Sequence, residues 1–299
     1  MRIIPNRGGN NLPAPLTHLP ASFAAPSKAK LPEWISDAQY ADYLAGKLTA
    51  LPEREPLWDT EYRIGVAIDA DTHTAKEGQL YAAEHLRLRD DVKLRFAVSE
   101  DPHRKEQADL AEKILQLGGE QRFGKIPEAQ GVWTLPSVTV TGKLVKWVLL
   151  TPAIFIHGWR PGWIGDDRKV LLRVVDKNKR ADRRRPRYDD PHWKYDPHQD
   201  DAEPIAAELV AAVVGKPQVI GGWDDAPKPT HLAVPSGSVY YFQAANETEA
   251  NKLVTALQDR CKSDFFGEKG LGLGVCGKWQ HQQPTSGNVP NATTNRKTQ

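Results

Sequence analysis

Glycine recurs at positions 267, 270, 272, 274 and 277, interleaved with Leu271, Leu273 and Val275. Inside a strand glycine costs conformational entropy and packs nothing, so no ordinary core strand calls for this pattern. Something must approach the backbone closely here. Uncovered N–H groups beside Lys269 can cradle phosphate, which singles out Lys269, Gly270, Gly272 and Gly274. A bulge or a tight crossing uses glycine in the same way, and the sequence leaves both readings open.

A chain of 299 residues exceeds the usual single domain, so two modules are expected. Hydrophobic residues make up 39% and charged residues 26%, enough apolar surface for a buried core. A net charge of only +2 means that affinity for nucleic acid must come from local patches. Cys261 and Cys276 provide neither a disulfide framework nor a metal quartet, which points to a reducing cytoplasm and to no cofactor. No apolar run approaches the roughly 18 residues of a membrane span, and residues 1–9 lack the apolar centre of a signal peptide, so no membrane partner is expected.

Residues 1–33, with six prolines, read as an extended, irregular lead-in. A first module spans 34–137. Ser36 and Gln39 form a capping box for a short helix ending near Gly46, with Ile35, Tyr40 and Leu44 available to pack. Residues 62–68 and the alternating segment 92–98 read as strands, the latter with Lys93 and Arg95 on one face. Asp101 and Pro102 open a helix expected to run through Leu117 on a stripe of Leu110, Ile114 and Leu117, stopped by Gly118 and Gly119. A second module spans 138–280, with strands expected at 138–151, 171–175, 219–223 and 238–242. Asn246 caps a helix with Glu249 at its third position and Leu253 and Leu257 inward, and the glycine-rich segment follows as the last strand. Strands and helices in this order predict an α+β fold of two ferredoxin-like modules. The polar tail 281–299 is expected to be disordered.

A basic insertion, 168–201, interrupts the second module. From Arg168 to Lys194 eleven Lys or Arg face four Asp, with Tyr188 and Trp193 interleaved and Arg184 and Arg185 in the densest part. Cations for phosphate and aromatics for bases are what single-stranded RNA binding requires, although a solvated loop has the same composition. Arg122, just past a helix end, and Lys228 complete the set of candidate RNA-binding residues.

Catalytic signals are sparse. Asp189, Asp190, His192, His198, Asp200 and Asp201 match no compact metal spacing. His73, His85 and His157 are isolated in sequence, and no phosphate-loop or nucleophile-elbow motif occurs. Neither a catalytic residue nor a metal is expected, and a binding protein is.

Several blocks in a fixed order are together distinctive: 61–69, 78–81, 85–88, 117–122, 149–153 and 158–163, then Gly221-Gly222-Trp223-Asp224 and Pro227-Lys228-Pro229-Thr230. Val234-Pro235-Ser236-Gly237-Ser238 and the glycine-rich end close the series. With these the chain resembles subunit three of the Cmr complex, the type III-B CRISPR effector, a RAMP-superfamily RNA-binding family, over roughly residues 50–280. The resemblance implies two ferredoxin-like RAMP modules, the first lacking its opening strand. It implies a non-catalytic subunit that holds the 5′ repeat-derived tag of the crRNA, docks the large polymerase-type subunit and meets the backbone RAMP subunits, for antiviral defence. Two alternatives stay open. One is a metal-independent crRNA-processing endoribonuclease of the same superfamily, with His73 or His85 and Tyr81 as its groups. The other is a protein-only scaffold with Trp159 and Trp163 at an interface, where core packing competes for the same aromatics.

Overall fold

The computed structural model describes residues 2–5, 16–21, 34–48, 56–90, 92–93, 113–116, 123–125, 134–173, 203–224 and 226–280. Arg122, Arg184, Arg185, most of the basic insertion, the 281–299 tail and the Asp189–Asp201 group of candidate ligands lie outside them. So do 94–98 and most of the helix expected from Asp101.

In chain order the elements are β1 (Arg2–Pro5), β2 (His18–Ala21), α1 (Asp37–Leu44), β3 (Trp58–Ile68), β4 (Ala75–Leu88), β5 (Ile114–Gln116) and β6 (Phe123–Lys125). There follow β7 (Leu144–Leu149), β8 (Ala207–Val213), β9 (Gln218–Ile220), β10 (Trp223–Asp224), β11 (Ala226–Pro227), β12 (His231–Ala233), β13 (Val239–Ala244), α2 (Glu247–Leu257), β14 (Arg260–Cys261) and β15 (Leu273–Lys278). Mostly sheet with two helices among the described residues, the protein is α+β, as expected.

The chain divides into two units. One comprises 1–30, 35–50 and 135–299, the other 31–34 and 51–134. The larger holds a five-stranded antiparallel sheet in the order β14-β15-β7-β13-β8. Alternation along its strands sends Val145, Trp147, Leu149, Tyr240, Phe242 and Cys276 into one buried cluster. Val148, Val239, Tyr241 and Val275 point into the other. Both faces are therefore covered, which explains why β7 is an almost unbroken apolar run.

Helix α2 covers the first face with Ala250, Leu253 and Leu257. Its capping follows the sequence: the Asn246 side chain accepts from the Glu249 N–H at 2.9 Å. The Glu249 carboxylate then accepts from the Ala206 N–H at 2.8 Å, tying the helix start to the approach to β8.

Helix α1 covers the second face, together with Ile3 of β1 and Trp279. Ser36 and Gln39 form the expected capping box, and Leu44 is fully buried. No basic residue occupies the last turn of α1. Lys146 supplies that charge from the sheet, its buried ammonium donating to the Tyr43 carbonyl and lying 3.8 Å above the Tyr43 ring. Burial pushes this ammonium down to about 8.

Four expectations change. The lead-in is not wholly irregular, since β1 and β2 pair antiparallel from Arg2↔Ala21 to Pro5↔His18 and Ile3 is buried. Ile114 and Leu115 belong to strand β5, paired with β6, rather than to a helix stripe; cross-strand pairing with Phe123–Lys125 takes the place of helical neighbours, and Ile114 is 69% exposed. The strand expected at 138–151 starts only at Leu144, after a turn at Gly142 with φ 80°. Leu171 and Leu172 form no strand but lie in a loop whose backbone bonds to Trp163 and Ile205. In the second unit β3 and β4 form one long hairpin, closed around the Asp69 carboxylate, which accepts from the N–H groups of Asp71 and Thr72.

Leu44→Ala removes the α1 residue most deeply set against the sheet and is expected to cost about 2–5 kcal/mol. The urea midpoint of the purified chain measures this. An unchanged midpoint would mean that α1 contributes nothing to the core.

Candidate functional site

The glycine-rich segment is a turn that becomes a strand only at Leu273. Phe266 stands in the left-handed region (φ 58°), Gly267–Lys269 form a single 3-10 turn, and Gly270 and Gly272 have φ of 87° and 76°. Only glycine adopts these last two conformations without strain.

The backbone N–H groups here are committed inward. Those of Lys269, Gly270 and Leu271 donate within the turn, and that of Gly272 donates to the Pro152 carbonyl at 2.8 Å. Leu273 donates to the Thr151 hydroxyl at 2.9 Å, and the same hydroxyl donates to the Gly270 carbonyl at 2.7 Å. A cradle of uncovered N–H groups is thus not what the glycines provide.

Their close neighbours are the protein's own atoms. A Cβ on Gly272 would collide with the Ser263 backbone, and one on Gly274 with the Trp147 indole. On Gly277 it would come 2.6 Å from the Leu44 carbonyl of α1. Gly270 alone of this group is open, with nothing within 4 Å of the added carbon. Of the four glycine-segment candidates, Lys269 and Gly270 therefore remain at the surface. The Lys269 ammonium lies 4.6 Å over the Phe266 ring, and the His231 ring lies 5.5 Å from the same ring.

A set of polar staples holds this turn from beneath. The Ser263 hydroxyl accepts from the Ile154 N–H at 2.8 Å and donates to its carbonyl at 3.0 Å. The Asp264 carboxylate accepts from Gly162 at 2.7 Å and Ile156 at 3.0 Å, fixing the loop between β7 and β8. Burial raises the Asp264 carboxyl to about 6, against the pull of those two donors.

Lys228 is exposed and follows the β10–β11 hairpin, with its N–H donating to the Gly222 carbonyl at 2.8 Å. It lies three residues before His231, which links its neighbourhood to Phe266. The alternative aromatic interface loses one member, because Trp163 is 3% exposed, stacks on Phe242 at 6.1 Å and donates its indole N–H to Lys262. Trp159 packs partly buried on the same core.

The histidines do not converge. Tyr81 and His85 are four positions apart on one face of β4, about 13 Å at the strand rise. His73 sits in the β3–β4 turn with φ 52°. Among the described residues no group of three His, Cys, Asp or Glu is placed to hold a metal ion, and no helix is long and apolar enough to cross a membrane.

Sequence reasoning overlooked Phe266, His231, Thr151, Ser263 and Asp264. Thr151 lay inside a block already noted, and Phe266 directly precedes the glycine run. Ser263, Asp264 and His231 carried no local signal.

An α+β protein with a sheet buried on both faces and a lysine-bearing glycine turn at its edge is the class these observations define. The chain matches the model of the CRISPR-associated protein (Cas_Cmr3) family over residues 13–279, and it belongs to that family. No curated protein matches it. Among solved structures it is similar to a chain in the cryo-EM structure of the Type III-B Cmr-beta bound to cognate target RNA, at 19% identity and a TM-score of 0.31, covering 62% of this chain and 45% of that one. A second, with AMPPnP also bound, matches at 18% identity and TM-score 0.31, over 62% and 46%. The chain thus spans less than half the length of these structural relatives.

Two outcomes are expected. Gly272→Val and Gly274→Val should each lower the melting temperature markedly, because the added carbons meet backbone and a buried indole; an unchanged melting curve would show that those contacts can yield. For Asp264 the folded carboxyl lies above its unfolded value of 3.8, so its contribution is fully present below about pH 4 and is lost as pH rises through about 6. Relative to Asp264→Asn, the native chain should lose up to about 3 kcal/mol across that window, measured by urea melts at stepped pH.

Proposed function

We propose that this chain is a non-catalytic RNA-binding subunit of a type III-B CRISPR effector, holding the 5′ repeat-derived tag of the crRNA and docking the large polymerase-type subunit. Family membership supports the effector assignment. The observation that carries the RNA half is the exposed Lys269 beside open Gly270, on a turn braced by Thr151, Ser263 and Asp264. Lys228, three residues before His231, and Arg122, Arg184 and Arg185 elsewhere in the chain would add phosphate contacts. The wide separation of Tyr81 from His85 supports a subunit without nuclease chemistry.

For docking, the support is an apolar hairpin face. Tyr62, Ile64 and Val66 of β3 share it with Leu80 and Leu86 of β4, and all are exposed. A surface of this kind suits a protein partner, such as the large subunit or a backbone RAMP subunit. We further infer that the larger unit is of ferredoxin-like RAMP type: β15-β7-β13-β8 is the strand order of a split β-α-β pair, with α2 as the crossover helix between β13 and β15.

The test is RNA retention by the purified chain and by the chain with its large subunit. Lys269→Gln should weaken binding of tag-bearing RNA, reduce the slope of log affinity against log salt by about 0.7 and leave the melting temperature unchanged. An unaltered slope would remove Lys269 from the interface. Metal-independent cleavage of repeat RNA by the isolated chain, abolished by His85→Ala, would overturn the non-catalytic assignment.

A further inference from the structure

The lysine-bearing turn has a feature that phosphate binding leaves unused. Phe266 holds φ 58° and ψ 25°, a left-handed conformation that is a rare outlier for a bulky aromatic residue. Its carbonyl closes the turn by accepting from the Lys269 and Leu271 N–H groups, and its ring belongs to neither buried cluster of the core. The ring is half-buried, set 5.5 Å from the His231 ring at 49°, with the exposed Lys269 ammonium over it at 4.6 Å.

A solvated lysine over an aromatic ring is a cover that a flat nucleobase can replace. The base gains stacking, and the ammonium is released to the adjacent phosphate. Gly270, open on its missing side chain, lets a sugar–phosphate backbone pass close to the turn. The ligand must be single-stranded, because a paired base within a helix offers no free face.

We propose that Phe266 is a stacking platform for one unpaired base of single-stranded RNA, beside the phosphate held by Lys269. This inference rests on the RNA-binding reading of the turn. The purified chain is titrated with a short oligouridine and with an abasic ribose-phosphate oligomer of equal length. Phe266→Leu should weaken oligouridine binding about 5- to 100-fold and leave the abasic affinity unchanged, while Phe266→Trp should preserve both. Equal weakening of both probes by Phe266→Leu, or of neither, overturns the platform. Lys269→Gln should weaken both probes, so its failure removes the phosphate site while the Phe266 comparison still decides the base site. With the native chain, RNA carrying 2-aminopurine should lose fluorescence on binding, a readout that needs no variant to fold. Unquenched 2-aminopurine at every position of the bound oligomer also overturns the platform.

Discussion

The structure depends on one close contact, between the indole of Trp147 on the central strand β7 and the bare backbone of Gly274 on β15. Trp147 is fully buried and meets Trp163 and Tyr240 with ring centroids 5.6 Å away in each case. Such a large ring fits beneath α2 only because the neighbouring strand has no side chain at that point. On the opposite face Gly277 does the same for α1, whose Leu44 carbonyl approaches the strand there. The two glycines let one strand lie close to both layers that cover the sheet.

From this follows the form of the candidate site. The turn before strand β15 is built on left-handed residues, and Thr151 of the loop after β7 satisfies its polar groups, while Ser263 and Asp264, beside the turn, satisfy backbone groups of that loop. Buried polar groups of this kind are costly if left unpaired, so the staples fix the turn in one conformation. Lys269 is thereby presented on a rigid support. A cation held in place loses less entropy on meeting a phosphate than one on a loose loop.

The two halves of the proposed role use different chemistry in different units. The larger unit offers a cation, an aromatic ring and an open glycine on a braced turn. The second offers a long hairpin whose exposed face is apolar, and its Tyr62 and Ile64 are each about three-quarters exposed. Phosphate contacts weaken with salt, whereas apolar docking does not, so the two kinds of association separate experimentally.

Local signals in the sequence determined the elements that depend on local energetics. Ser36 with Gln39 and Asn246 with Glu249 marked the two helix starts, because a cap needs only residues three positions apart. The apolar and aromatic run in 238–242 marked β13, because its side chains go to opposite faces of a sheet buried on both. The β5 segment was misjudged because its isolated apolar residues suit a helix stripe as readily as a short strand pair. The sequence also required a close approach at the glycines, but it carried no record of what would approach. Only the tertiary structure decided that, bringing Ser263, Trp147 and Leu44 to Gly272, Gly274 and Gly277 and leaving Gly270 open. The physical reason is that a missing side chain is a local fact, while the atom that fills its place is set by strand register and by packing between segments far apart in the chain.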